Sequence, residues 1–438
     1  MFILVRIGSG AGFAGDRIEP AKALAEKANL DYLILEGLAE RTIALAQRQK
    51  RNDPKLGYNE YLEERIRLLL PSLLKNKVRL ITNMGAANPF SAAEKIKKIA
   101  QEMGLECKVA AVTGDDVTEQ ISLASKVLES GKNIQHYEPI ISANAYLGAE
   151  AILPSLEAGA DIIVTGRVAD PSLFLAPIIH HYKWDLENYE LIGQGTLIGH
   201  LLECAGQITG GYFADPGLKD VEGLADLGFP FAIVEEDGTA IITKLAGTGG
   251  TVNLQTVKEQ LLYEVHDPEN YMTPDCIADF TFVRLKELDK DQVLVQGATG
   301  KARPDSLKVS IGYHAGFLGE GEISYAGSTA LQRAKLAESI LKERLEKRYT
   351  NLRTDLVGVS SLHHGQYGES IPYEVRVRAA ALCSNTAQAK QIGHEVEALY
   401  TNGPAGGGGA RKRVEEVIGI VSTLINRSTI TIKTEFLE

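Results

Sequence analysis

"RIGSGAGFAGDRIEP", residues 6–20, decides how the chain begins to fold. It follows the apolar run MFILV, and Gly10, Gly12 and Gly15 fall at G-x-G-x-x-G spacing. A strand running into glycines and then a helix is either a dinucleotide-binding turn or a strand-end loop of another kind. Glu36 lies 21 residues after Gly15, near the spacing of a ribose-binding acid. Against that, Asp16, Arg17 and Glu19 stand between the glycines and Pro20, a residue suited to the first helical turn. Two carboxylates there would repel a pyrophosphate that needs the helix N-terminus. Asp16 and Glu19 also fit a helix N-cap followed by a first-turn acid. A dinucleotide oxidoreductase is therefore the weaker reading.

The same rhythm repeats downstream. FILVRI (2–7), DYLILE (31–36), VRLITN (78–83), KVAAVT (108–113) and DIIVTG (161–166) are short apolar runs, with amphipathic segments at 20–28, 60–75, 91–103 and 145–158 between them. Continuous apolar strands alternating with helices predict a parallel sheet covered on both faces. The expected fold is α/β: an N-terminal parallel, doubly wound, Rossmann-like sheet over residues 1–222, then an α+β domain over 223–438. The change comes at FAIVEEDGTAIITKL, a hairpin with Asp237-Gly238 at its turn. Further strands are expected at 278–286, 291–297, 306–313, 355–360, 373–383, 416–424 and 428–434, with helices at 328–347 and 386–400.

In an open α/β sheet, ligands bind beyond the carboxyl ends of the strands. Here each strand ends in a small, polar loop: GSGAGFAGDR (8–17), EGLAERT (36–42), NMGAANP (83–89), TGDDV (113–117) and TGRVADP (165–171). These loops would set Gly10, Gly12, Asp16, Arg17, Glu36, Glu40, Arg41, Asn83, Asn88, Asp115, Asp116, Arg167 and Asp170 along one rim. Glu36, Asn83, Asp115 and Asp116 are the catalytic candidates: the acids for acid/base work or a hard divalent ion, Asn83 for a developing oxyanion. Arg167 is the expected clamp for a carboxylate or phosphate. Gln207, in CAGQITGGYFAD, and Gly249 and Gly250, in AGTGGTVN, are expected to line the same crevice. Gly407, Gly408 and Arg411, in NGPAGGGGARKRVEEV, would form an anion-binding nest. Each has a plainer alternative: Asp116 with Glu119 or Ser91 with Glu94 as capping pairs, Asp170 before Pro171 as an N-cap, the glycine run as a surface turn.

Composition narrows the classes. The chain has 438 residues, 44% hydrophobic and 24% charged, with a net charge of −11. An acidic chain without a basic block is not expected to bind nucleic acid. No apolar run reaches the about 20 residues of a membrane helix, and MFILVRIGSG lacks a signal peptide's basic start. Cys107, Cys204, Cys276 and Cys383 are scattered, which suits a reducing cytoplasm. GATGKA (297–302) lacks Walker spacing, and no G-x-S-x-G elbow occurs. His200 and Glu203 stand at i, i+3 beside Cys204, a partial metal pattern, but a histidine on a helix surface is the simpler reading. His180-His181 and His363-His364 lack ligand spacing.

The ordered motifs IGSGAGFAGDRIEPA, DYLILEGLAERTIALAQ, ITNMGAANP, VTGDDV, VTGRVADPSLFLAP, AGQITGGYFADP, AGTGGTVN, EQLLYEVHDPENYMTPD and LYTNGPAGGGG span nearly the whole chain. In them the sequence resembles the acyclic terpene utilization family. The resemblance implies a setting in the breakdown of branched acyclic terpenoids such as citronellol and geraniol through acyl-CoA intermediates. It transfers no catalytic residue. Some longer relatives carry an additional C-terminal domain of ferredoxin-like shape, whose function is not expected here. The function expected is a cytoplasmic, homo-oligomeric enzyme acting on a carboxylate, phosphate or CoA-linked small molecule as a lyase, hydratase or hydrolase. It would need no organic redox cofactor, with a divalent metal as a candidate. A non-catalytic ligand-binding or assembly subunit is the alternative.

Overall fold

A computed structural model describes residues 4–363 and 372–437. The first residues of the expected 2–7 strand and His364 lie outside them. Two compact units emerge: Met1–His136, Ile140–Gly312 and Ile420–Glu438 form the first, and Tyr137–Pro139 with Tyr313–Gly419 the second.

The first unit opens with β1 (Val5–Gly12), α1 (Glu19–Lys27), β2 (Tyr32–Glu36), α2 (Glu40–Asn52), α3 (Leu62–Asn76), β3 (Arg79–Thr82), α4 (Pro89–Glu102) and β4 (Val109–Thr113). Then come β5 (Ile140–Ala145), α5 (Leu153–Glu157), β6 (Ile162–Thr165), α6 (Asp170–Tyr182) and α7 (Tyr189–Leu202). The five strands expected from the apolar runs run parallel in the order β1-β2-β3-β6-β4. Alternate side chains enter two cores. Tyr32, Ile34 and Ile163 pack with Phe174, Ile178 and Leu201 of α6 and α7. Leu33, Leu35 and Val164 pack with Leu24, Ile66, Leu69 and Ile96 of α1, α3 and α4. Burial on both faces is why these strands read as unbroken apolar runs.

The sheet is nevertheless mixed, not the wholly parallel doubly wound sheet expected. β7 (Pro230–Val234) pairs antiparallel with β1 and leads to β8 (Ala240–Lys244) through the Asp237-Gly238 turn, where Gly238 has φ +82°. α8 (Leu254–Leu262) follows. β9 (Tyr271–Met272), β10 (Ile277–Asp279) and β13 (Thr299–Lys301) make a small sheet, while β11 (Arg284–Asp289) and β12 (Gln292–Gln296) extend the large one from β8. The change of rhythm near residue 223 thus marks a switch from parallel to antiparallel pairing within one sheet, because a hairpin needs no crossover helix. The segment 145–158 is helical only from Ala149 onward, in two short turns, and β5 precedes it. Ser142 and Asn144 of β5 are buried along with Ile141, Ala143 and Ala145, so its alternation is hidden.

The second unit takes β14 (Ser306–Ala326) from Tyr313 onward, α9 (Ala330–Leu345), β15 (Arg353–Val357), β16 (Glu374–Cys383), α10 (Thr386–Glu397), the one-turn α11 (Leu399–Asn402) and β17 (Gly408–Asn426) as far as Gly419. Its strands lie in the order β15-β16-β14-β17, the β-α-β-β-α-β arrangement of ferredoxin-like folds. Ile323, Val377, Ala334, Leu341 and Ile392 form its core. The last strand, β18 (Lys433–Leu437), pairs antiparallel with β4 in the first unit's sheet. Among the described residues, no helix is long and apolar enough to cross a membrane.

Candidate functional site

The strand-end loops of the first unit meet around Glu36. Gly10 is the extra residue of a bulge in β1: Ser9 pairs with Ile34, but Ala11 pairs with Leu35, and this brings Gly12 opposite Glu36. Glu36 Oε1 accepts from the Leu38 backbone N–H at 2.8 Å and from Asn83 Nδ2 at 2.9 Å. Asn83 Oδ1 in turn accepts from Gly37 N–H at 2.8 Å, so one side chain stitches β3 to the β2 loop. Burial, and then the charge of Asp170, push the Glu36 carboxyl well above its usual range, against the pull of Arg167 and these hydrogen bonds.

Arg167 is only 2% exposed. Its guanidinium donates to the Leu38 carbonyl and, at 2.7 Å, to Asp170 Oδ1, and lies 4.1 Å from the centre of the Tyr146 ring. Nε has no partner. Burial opposes the charge, and Asp170, Tyr146, Glu36 and Glu40 outweigh it. Both terminal nitrogens are therefore engaged within the protein, a geometry that differs from an open anion clamp. Asp170 is the first residue of α6, whose N-cap is Ala169; loss of solvation raises its pKa against the effect of Arg167.

Asp115, 4% exposed, accepts from the Arg167 backbone N–H at 2.9 Å and from Asn144 Nδ2 at 2.8 Å. Burial carries it up to about 6, with Asp116 adding to the rise. Gly166 is required beside it, because a Cβ there would lie 2.3 Å from Asp115 Oδ1. Asp116 is engaged otherwise: Oδ2 accepts from Gln47 at 2.8 Å, and Oδ1 from the Thr118 hydroxyl at 2.7 Å. Glu40 meets the Tyr146 hydroxyl, and Lys308 is 3.5 Å away. Burial opposes its ionisation, but Tyr146, Arg167 and Lys308 prevail and hold it down to about 2.

A further wall, not anticipated as functional, comes from the end of α7. A Cβ on Gly12 would fall 2.4 Å from the Cys204 carbonyl carbon, so the β1 terminus abuts the 204–205 backbone. A Cβ on Gly199 would lie 2.4 Å from the Pro171 carbonyl oxygen, which sets α7 against the start of α6. His200 Nδ1 is 2.9 Å from Glu203 Oε1. Burial takes Glu203 up to about 7 against the effect of His200. Cys204 is raised by burial and then by Glu203, Glu264 and Glu36. Tyr271 is raised well above its ordinary value by burial and by Glu203, Asp170 and Glu264. The i, i+3 spacing of His200 and Glu203 was the available signal. Only the covering of this turn by Gln260 and Leu261 of α8, with Tyr271 and Phe280, makes it an interior pair.

The remaining candidates are placed as follows. A Cβ on Gly10 would meet Leu35 at 2.6 Å and Ala21 at 3.0 Å, so this glycine serves the packing of α1. Asp16 accepts from the Gly12 N–H at 2.7 Å; the N-cap of α1 is Ile18. Arg17 is exposed, bonded to the Ala225 carbonyl and paired with Glu19. Asn88 caps α4 through Ser91 N–H and donates to Pro54 and Leu56. Gln207 is half-buried in the turn after α7. Gly249 and Gly250 let two loops touch through backbone: Gly249 N–H donates to the Asp226 carbonyl, and Gly250 N–H to the Glu222 carbonyl. Gly407, Gly408 and Arg411 belong to the second unit, where the glycine run enters β17 and Arg411 is exposed.

Chemically, the cluster is a set of carboxyl groups around buried Arg167, with Glu36, Asp115 and Asp170 shifted upward by burial and Glu40 shifted downward. Pairs of acids pushed apart in this way are the usual basis of acid/base assignment. Among the described residues, no group of three or more His, Cys, Asp or Glu side chains is placed to hold a metal ion. No curated protein and no solved structure matches the chain. The family model described as "Acyclic terpene utilisation family protein AtuA" matches residues 5–436.

Proposed function

Because the chain belongs to the acyclic terpene utilisation family, we propose that it is an enzyme of that metabolism whose buried strand-end carboxyls transfer protons to a small molecule. The reading includes a cytoplasmic, homo-oligomeric protein acting on a carboxylated or CoA-linked substrate as a lyase, hydratase or hydrolase. The observation that carries it is Glu36. Both of its hydrogen bonds fall on Oε1, which leaves Oε2 as the oxygen to bear and deliver a proton. Its raised pKa, set mainly by burial, favours the proton-bearing form, as a general acid requires. Arg167 does not hold the substrate's anion in this reading. It lowers the cost of ionising Glu36 when the proton leaves, and Asn83 keeps the carboxyl oriented.

The test is turnover of CoA thioesters of branched acyclic acids in deuterated water, followed by mass spectrometry. Glu36→Gln is expected to retain the fold and lose about 10²–10⁴-fold in rate, the range general acid catalysis supplies. An unchanged rate removes Glu36 from the chemistry. No conversion of any thioester, with a second polypeptide co-purifying, would favour the ligand-binding or assembly role instead.

A further inference from the structure

Glu203 is the buried acid that the strand-end reading left unused. It sits at the C-terminal end of α7, its side chain 13% exposed. Oε1 is paired with His200 Nδ1, while Oε2 is buried and has no hydrogen-bond partner. His200 is fixed from its other side, because Nε2 lies 3.3 Å from the Leu261 carbonyl, which can only accept. Gln260 Nε2 donates to the His200 carbonyl at 3.0 Å and holds the same turn. The imidazole is therefore held at both ring nitrogens, and Glu203 is oriented by it.

Two close approaches set the backbone around this acid against the strand end that carries Glu36 and against the start of α6. Gly12 stands opposite Glu36 across β1 and β2, and the Cys204 backbone rests on Gly12. Gly199, one turn before Glu203, lies on Pro171, the neighbour of Asp170. We propose that Glu203 is a second catalytic carboxyl, facing Glu36 across the Gly12 strand end, with His200 as its positioning residue. The proposal rests on the acid/base reading of Glu36 and narrows it to the lyase or hydratase class.

In the elimination direction, Glu203 Oε2 takes a proton from a substrate carbon. The C–H pair forms the double bond, the adjacent C–O bond breaks with its electrons going to oxygen, and Glu36 Oε2 delivers its proton to that oxygen. Water leaves, Glu36 ends ionised and Glu203 protonated, and exchange with solvent restores both. Hydration is the reverse. The unequal environments suit these roles: Glu36 lies well above its usual range, whereas Glu203 stands at about 7, near the pH at which a base works best. The groups acting on Glu203 are His200 on its own helix, Asp170 from α6, Glu264 after α8, Tyr271 of β9 and the adjacent Cys204.

Two measurements test this. The first needs no substrate: infrared titration of the full-length protein, following the protonated-carboxyl band. The wild type is expected to lose one carboxyl proton near 6, from Asp115, and another with a midpoint near 7; the step near 7 should vanish in Glu203→Gln and persist in Glu36→Gln. The same step in Glu203→Gln overturns the proposal. The second is deuterium exchange into the carbon chain of a branched acyl-CoA thioester. Glu203→Gln should reduce it by at least about 100-fold. His200→Gln, which can still hydrogen-bond Glu203, should retain most of the maximal rate and move the pH midpoint upward, because His200 lowers the pKa of Glu203. Full exchange in Glu203→Gln alongside an inactive Glu36→Gln would sink the second acid and leave the first. Normal turnover in Glu36→Gln would sink the first, while the infrared step still judges the second.

Discussion

Arg167 shows how far residue type alone leads. As an arginine after a strand it suggests an anion clamp, and it does lie at the centre of the site. Its burial changes what surrounds it: the guanidinium is tied to Leu38, Asp170 and the face of Tyr146. Removing one partner of such a set leaves charges buried without compensation. Arg167→Met is expected to cost about 3–5 kcal/mol in chemical denaturation. Arg167→Lys should restore little of that, since one ammonium cannot reproduce the planar fork. A loss below about 1 kcal/mol would show that the surrounding acids do not depend on it. Asn88 and Asp16, expected at the rim, serve local structure instead: Asn88 caps α4, and Asp16, whose alternative reading was an N-cap, closes a turn by accepting from the Gly12 N–H. Their residue types and positions suit either role, and only their hydrogen-bond partners separate them.

The elements carry the next level of cause. The bulge at Gly10 slips β1 by one residue against β2, and without it Gly12 would not stand opposite Glu36. That contact also admits the 204–205 backbone, so β1, β2 and the end of α7 depend on one missing side chain. Gly12→Val is expected to destabilise the fold by about 1–3 kcal/mol through overpacking and to move Glu203 away from Glu36. Thermal melting reads the first effect; deuterium exchange into a thioester, reduced beyond the loss of folded protein, reads the second. Unaltered stability would mean that the Cys204 turn yields easily. The parallel strands were readable because burial on both faces leaves continuous apolar runs. β5 was not, because its Ser142 and Asn144 are as buried as its alanines. The pairing of β7 with β1 was hidden for another reason: a hairpin's sequence specifies its own turn but not the edge it joins.

Across the whole molecule, the raised acids make stability depend on pH. Asp115 and Glu203 have folded values of about 6 and about 7, against 3.8 and 4.5 unperturbed. The folded state binds these protons more tightly, so the stabilisation is complete below about pH 4 and is lost as pH rises through the folded values. Glu40 runs the other way: its contribution is present above 4.5 and is lost as pH falls toward 2. Unfolding free energy is therefore expected to be higher at about pH 5 than at about pH 8, and Glu203→Gln should narrow the difference. Equal stability at the two values, or a rise toward pH 8, would contradict the buried, proton-bearing state of these carboxyls.

Hydrophobic period and turn chemistry were enough to place the parallel strands and the Asp237-Gly238 hairpin, the ordered motifs were enough for the family resemblance, and strand-end logic named Glu36, Asn83, Asp115 and Arg167, which the structure brings next to one another. These depend on interactions between residues close in the chain, or on motifs that persist as strings. The mixed sheet, the occupation of Arg167 by Asp170, and the burial of the His200–Glu203 pair were settled by packing. A local pattern tells which face of an element is apolar, whereas desolvation and charge coupling depend on which distant element covers that face.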